Sequence, residues 1–109
     1  MPKLPIPKSE RKGSHWKKLN TVIDPELDIG IVDLGLVYDV DIDKQGLATV
    51  TMTLTSPGCP VGPIITLEVQ DVMRTVKDVK DVYINMVWDP MWNGEMIDED
   101  VRDMLMGVI

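Results

Sequence analysis

The sequence predicts an α/β (α+β) domain: a two-layer sandwich in which helices cover one face of a small three-stranded mixed sheet. Three runs alternate between apolar and polar residues, the pattern of half-buried strands. Three other segments repeat apolar residues at helical spacing. Their order is helix, strand, strand, helix, strand, helix. The 109 residues, 44% of them hydrophobic, are enough for one core.

The first helix is predicted to run from Ser14, a suitable N-cap, to Asp24. Pro25 should end it, because the residue before a proline is pushed out of the helical region. Its apolar face comprises Trp16, Leu19, Val22 and Ile23. The following segment, which mixes acidic and aliphatic residues with glycines, is predicted to be a loop, or one helical turn, that leads into a strand.

Two strands are predicted to form an antiparallel hairpin around a tight turn at Gly46. In the first, Tyr38, Val40 and Ile42 alternate with aspartates. The second is the most regular pattern in the chain, since Ala48, Val50, Met52 and Leu54 alternate with threonines. A third strand presents Val82, Ile84, Met86 and Trp88 on one face.

The central helix is predicted to begin at Pro60 or just after, and Pro60 is assigned to the first helical position, which proline suits. Its buried stripe comprises Ile65, Val69, Val72, Met73 and Val76. A C-terminal helix is predicted after Asp98, with Glu99 and Asp100 at the positive end of its dipole.

Cys59 is the only cysteine and lies between the second strand and the central helix. If Cys59 is the N-cap, unpaired backbone amides and the helix dipole favour its thiolate, as a reactive or metal-ligating thiol requires. The residues predicted to support this site are Thr53, Thr55, Ser56, Gly58 and Pro60. The alternative is that Cys59 is a small turn residue and that the threonines form a solvent-facing row.

Two further segments have both a functional and a structural interpretation. The acidic loop, Asp24, Glu26 and Asp33, has carboxylates that could bind a hard cation, but its spacing fits no EF-hand. Capping and turn formation by the aspartates is the favoured interpretation. Trp88 and Trp92 follow the third strand. They either cover the core or form an interaction loop, since tryptophan is enriched at interface hot spots.

Charge divides the chain into two parts. Residues 1–18 carry six Lys or Arg and one Glu, whereas the remainder carries five against seventeen Asp or Glu. We expect residues 1–14 to be a flexible basic tail and residues 15–109 a single domain. The acidic domain argues against nucleic-acid binding. No apolar stretch is long enough to cross a bilayer, and a lone thiol fits the reducing cytoplasm.

Three motifs in this order resemble the SufT-like iron–sulfur cluster assembly family, which includes PaaD-like members. They are VIDPELDIGIVDLGLVYDV, TLTSPGCPVGP and VWDPMW, within residues 16–107. The resemblance implies a small α/β fold and a role in delivering clusters to client proteins. It makes Cys59 the functional thiol and places the acidic loop at Asp24, Pro25, Glu26 and Asp33. Met91 replaces one of two prolines that the family often has before the second tryptophan.

The resemblance implies a non-enzymatic adaptor or transient carrier, with iron or a cluster bound transiently through Cys59 and none held stably. A cluster takes about four protein ligands, so a second subunit in a homodimer or a client must supply the others. The alternatives are a PaaD-like accessory subunit of a multicomponent oxygenase and a thiol-redox protein. The sequence offers Cys59 neither a resolving cysteine nor a nearby base, because the only histidine, His15, lies on the first helix.

Overall fold

The computed structural model describes residues 13–25, 27–55, 58, 60 and 62–107, with side chains up to residue 103. The elements in chain order are α1 (His15–Leu19), β1 (Ile23–Asp24), β2 (Ile29–Gly30), β3 (Val37–Ile42), β4 (Leu47–Met52), α2 (Gly62–Arg74), β5 (Asp81–Met86), a 3₁₀ turn (Gly94–Met96) and α3 (Glu99–Gly107). In the part of the chain that is described, no helix is long and apolar enough to span a membrane.

The main sheet has the strand order β3-β4-β5. β3 and β4 are antiparallel and β4 and β5 are parallel, which confirms the predicted three-stranded mixed sheet. The hairpin turn is held by Asp43, whose Oδ1 accepts hydrogen bonds from the Gln45 and Leu47 amides, each at 2.9 Å. Such a side-chain bond to the backbone explains why aspartate begins this turn.

The core lies between this sheet and the helices. α1 packs against α2, and α2 packs against β5. Trp16 and Leu19 of α1 and the α2 stripe meet the inner face of β4 in one buried cluster. The fully buried residues of that stripe and of β4 are Ile65, Val69, Met73, Ala48, Val50 and Met52. The two-layer architecture predicted from the sequence is therefore confirmed.

β3 departs from simple alternation. Its register shifts between Val37 and Asp39, so Val37 pairs with Met52 and Val40 with Val50. The extra residue is Tyr38, which the sequence pattern places in phase with Val40. The bulge leaves Tyr38 without a paired residue in β4 and interrupts the alternation predicted for Tyr38, Val40 and Ile42, because it inserts one extra residue into the strand.

α1 is shorter than predicted and ends at Leu19 rather than near Asp24. Ser14 precedes it but makes no capping hydrogen bond through its side chain. Ile23 and Asp24 instead form β1, which pairs with Ile29–Gly30 of β2 in a small antiparallel sheet. The sequence pattern does not predict this sheet, because strands of two residues are too short to show a period.

α3 confirms the expected cap. Asp98 precedes it, and the Asp98 Oδ1 accepts a hydrogen bond from the Asp100 amide at 3.0 Å. Glu99 and Asp100 lie in the first turn, where carboxylates interact favourably with the helix dipole.

Candidate functional site

The segment that contains Cys59 connects the end of β4 to the start of α2. The Thr53 amide donates to the Leu36 carbonyl at 2.9 Å, which extends the contact between β4 and the chain before β3. Gly62 then returns against Leu54. A Cβ at Gly62 would lie 2.7 Å from Leu54 Cδ1, so a larger residue would require the Leu54 side chain to shift. The two ends of the segment are therefore held close together. Cys59 and Ser56 lie outside the described residues.

The helix start contradicts one prediction. α2 begins at Gly62, so Pro60 is an exposed turn residue and not the first helical residue. With Pro60 outside the helix, the prediction that Cys59 is the N-cap loses its basis, and Cys59 itself lies outside the described residues.

The threonines near this segment do not form a solvent-facing row. Thr53 is fully buried and Thr51 is 8% exposed, whereas Thr55 is half-buried. Thr51 lies on the central strand between Asp39 of β3 and Asn85 of β5, whose side chains share its face. Thr51 is therefore buried between its two neighbouring strands, although it lies on the face of the sheet opposite the main core.

Two carboxylates of the acidic loop, Asp24 and Asp33, are described by the structure. Asp24 is 2% exposed. Asp33 is half-buried, and its Oδ2 accepts a hydrogen bond from Asn20 Nδ2 at 2.9 Å. Glu26 lies outside the described residues. The structural interpretation of Asp33, as part of a folded turn, is supported by this bond.

Sequence reasoning missed Asn20, the residue that organises this loop. Its Oδ1 accepts from the amides of Val32 and Asp33, at 3.1 and 2.9 Å. Its side chain thus binds three groups of one turn. The only signal available was an asparagine followed by three residues with weak helix propensity, Thr21, Val22 and Ile23.

Replacing Asn20 with alanine is expected to lower the free energy of unfolding by roughly 1–3 kcal/mol, because two amides and a carboxylate lose their partner. Asn20→Asp is the matched variant. It keeps the acceptor for both amides but places a second carboxylate beside Asp33. Urea denaturation of Asn20→Ala and Asn20→Asp measures how far each substitution lowers the free energy of unfolding. Thr21→Ala, at an exposed neighbouring position, serves as the control, and an equal loss there would contradict the role of Asn20.

The turn of residues 31–36, which we call the hub turn, is where the predicted motifs meet. Besides the Asn20 bonds, the Asp33 carbonyl accepts from the Asp98 amide at 2.6 Å. The Leu34 carbonyl accepts from Trp92 Nε1 at 2.8 Å, and the Leu36 carbonyl accepts from the Thr53 amide. The acidic loop, the tryptophan loop and the strand end before Cys59 are therefore joined through one turn of backbone.

The two tryptophans differ in their exposure. Trp92 is half-buried against the core and bonded to the hub turn, whereas Trp88 is 39% exposed. Trp88, with the 64% exposed Met91, is thus the accessible part of the predicted interaction loop. The alternation of the third strand places Trp88 on the same face as Val82, Ile84 and Met86, and therefore predicts Trp92 as the more accessible tryptophan. That prediction is wrong. The indole donor of Trp92 decides it, because a buried N–H needs an acceptor.

Tyr38 connects the bulge of β3 to the same loop. Its hydroxyl donates to the Pro90 carbonyl at 2.7 Å and lies 3.4 Å from the Met96 Sδ. Burial raises the pKa of the phenol above its usual value of 10.0, so it remains protonated and can donate at neutral pH.

His15 is half-buried beside Trp16, with ring centroids 5.9 Å apart. Burial lowers the pKa of its imidazole below 6.5, because desolvation disfavours the charged form. Within the described residues, which omit Cys59 and Glu26, no three His, Cys, Asp or Glu side chains are grouped to hold a metal ion.

Known proteins are similar to this chain over most of its length. A curated relative, the Fe-S protein maturation auxiliary factor YitW of Bacillus subtilis, is 54% identical over 77 residues, which are 71% of this chain and 76% of the relative. The Fe-S protein maturation auxiliary factor SufT of Staphylococcus aureus is 51% identical over 76 residues, or 70% of this chain and 86% of that protein.

A solved structure from Bacillus anthracis, described as a domain of unknown function (DUF59), superposes with a TM-score of 0.81 at 40% identity. The superposition covers 88% of this chain and 91% of that one. The sequence profile of the family described as "Iron-sulfur cluster assembly protein" matches residues 16–86, a range that spans the acidic loop, the hub turn and the Cys59 segment. The chain therefore belongs to the iron–sulfur cluster assembly protein family.

Proposed function

We propose that this chain is a non-enzymatic factor in iron–sulfur cluster assembly, an adaptor or transient carrier that helps deliver clusters to client proteins through Cys59. The observation that carries the proposal is that the matched range contains the Cys59 segment and the structural frame around it. The relatives from Bacillus subtilis and Staphylococcus aureus are named as maturation auxiliary factors. Those names favour this role over the oxygenase subunit and the thiol-redox protein.

The chemistry expected of Cys59 follows from its position between two anchored ends. Gly62 packs against Leu54, and the Thr53 amide is bonded to the hub turn, so the intervening segment starts and ends on the folded body. Gly58 is exposed, and a Cβ at this position would have no heavy atom within 4 Å beyond its chain neighbours. This opening leaves room for a client to approach the segment. A thiolate there is a soft ligand suited to iron–sulfur chemistry.

One cysteine supplies one of about four ligands that a cluster takes. The cluster is therefore cargo, held in passing, with the remaining ligands coming from a client, an assembly protein or a second copy of the chain. The acidic body argues against nucleic acid as the natural partner, since a phosphate backbone is bound by basic surfaces. The compartment that suits this activity is the cytoplasm, where the lone thiol remains reduced.

The test is Cys59→Ser in a strain that lacks the protein, with the activity of an iron–sulfur enzyme as the measurement. Wild type is expected to restore the enzyme activity, and Cys59→Ser is expected to fail while the purified variant keeps the wild-type circular dichroism and urea midpoint. Leu67→Ser is the matched control, because Leu67 is 61% exposed on α2 outside the segment. Full restoration by Cys59→Ser would contradict the proposed role of the thiol.

A further inference from the structure

Within the described residues, β3 and β5 are the edge strands of the three-stranded sheet. The hydrogen bonds of β5 show which of its backbone N–H and C=O groups point toward β4 and which point away from it. The Asp81 amide donates to the Gly46 carbonyl and the Val87 amide to the Met52 carbonyl, so these two residues face the neighbouring hairpin. Alternate residues of a strand direct their N–H and C=O groups to the same side. The backbone groups of Val82, Ile84 and Met86 consequently point away from β4, toward a side of β5 on which the described residues place no strand.

The two edges are protected unequally. Each contains an aspartate whose side chain accepts a hydrogen bond from the backbone amide of the next residue, which points away from β4. Asp39 Oδ1 accepts from the Val40 amide and Asp81 Oδ1 from the Val82 amide, both at 2.9 Å. β3 also has its bulge and a further aspartate at position 41. Bulges and charges of this kind oppose edge-to-edge pairing. β5 keeps an unbroken register from Asp81 to Met86 and carries no charge, proline or bulge after Asp81.

We propose that β5 pairs antiparallel with β5 of a second copy of this chain, about a two-fold axis at Ile84, and joins the two sheets into one of six strands. The Ile84 amide donates to the carbonyl of the partner's Ile84, and the reverse bond forms by symmetry. The Met86 amide donates to the carbonyl of the partner's Val82, again twice. An interface of this type uses the same patch on both copies, as a two-fold dimer requires.

Side-chain pairing across this axis is self-complementary. Tyr83, which is 57% exposed, lies opposite the partner's Asn85, and Val82 lies opposite the partner's Met86. Just beyond the strand, Lys80 lies opposite the partner's Trp88, an arrangement suited to a cation–π contact with an indole that is 39% exposed in one chain. Cross-strand pairs of this kind are the unit of sheet stabilisation.

The β3 edge fails the same test. Pairing about Val40 would place Asp39 opposite the partner's Asp41, and symmetry would repeat this pair. Like charges directly opposite each other destabilise an antiparallel pair. The difference between the edges identifies β5 as the surface that fits a second copy.

A charge-swap experiment at positions 83 and 85 tests the dimer. In Tyr83→Glu/Asn85→Glu, each glutamate at position 83 lies opposite the partner's glutamate at position 85. The two like-charged pairs should prevent dimerisation, so light scattering at high micromolar concentration should give the mass of one chain. In Tyr83→Lys/Asn85→Glu, each lysine faces the partner's glutamate. This variant and the wild type should give twice that mass. Wild type with the mass of one chain, or equal masses for the two double variants, would overturn the proposal.

Hydrogen exchange locates the interface independently. The Ile84 and Met86 amides should exchange more slowly as the wild-type concentration rises, and the Ile42 amide on the β3 edge should not. A dimer in which the Ile84 and Met86 amides exchange at a concentration-independent rate would overturn the β5 assignment. Neither measurement involves cluster chemistry, so failure here would leave the proposed function of Cys59 unaffected.

Discussion

Met52→Ala is expected to lower the free energy of unfolding by roughly 2–5 kcal/mol, the range found when a fully buried large side chain is truncated. Met52 is fully buried at the end of the central strand. It pairs with Val37 of β3 on one side and Met86 of β5 on the other, so its truncation leaves a space between two backbones that are held by the sheet. Both the lost transfer free energy and the residual cavity therefore contribute.

Urea denaturation with a constant m-value would measure this loss, since an altered m-value signals a changed denatured state. Ile64→Ala is the matched control. Ile64 is apolar and 55% exposed on α2, so its truncation should change the free energy of unfolding by no more than about 0.5 kcal/mol. Comparable losses at Met52 and Ile64 would contradict a core centred on the inner face of β4.

Gly35→Ala is expected to have an effect of similar size, on the order of 2–5 kcal/mol, for two separate reasons. Gly35 has φ +82°, a left-handed conformation that costs any residue with a Cβ. A Cβ would also collide with the backbone carbonyl of Met96. The neighbour is backbone in the 3₁₀ turn rather than the end of a flexible side chain, so it cannot simply rotate away.

Gly94→Ala separates these reasons from the general effect of adding a methyl group. Gly94 lies in the same 3₁₀ turn, but nothing lies within 4 Å of its Cβ position. Its substitution should leave the free energy of unfolding within about 1 kcal/mol of wild type. A thermal or urea midpoint for Gly35→Ala that equals the Gly94→Ala midpoint would show that the hub turn and the 3₁₀ turn are not packed as described.

The candidate site was predictable in part. Asp33 and Trp92 are residues of interest in the sequence, yet the sequence does not show that the hub turn joins them. Asp33 lies in this turn, and Trp92 donates a hydrogen bond to the Leu34 carbonyl of the same turn. Asn20 did not stand out at all, because an asparagine after a short helix is common. Its importance comes from accepting two amides of residues more than ten positions away. Contacts at such separations leave no local period.

The sequence by itself determined the hairpin, the central helix stripe and the cap of α3. In each, the deciding interactions lie within a few residues, as in the bonds from Asp43 and Asp98 to nearby amides. Periodicity and turn chemistry record such local interactions directly.

Tertiary structure alone decided the bulge at Tyr38, the end of α1, the start of α2 and the choice between the tryptophans. Each depends on a partner far along the chain. Tyr38 is bonded to Pro90, Asn20 to residues 32 and 33, and Trp92 to Leu34, while Gly62 must fit against Leu54. The hydrogen-bond partner of a buried polar group is whichever acceptor the fold places beside it. The first residue of a helix likewise depends on what packs against the helix start. Neither the partner nor the helix start can therefore be deduced from the neighbouring residues in the sequence.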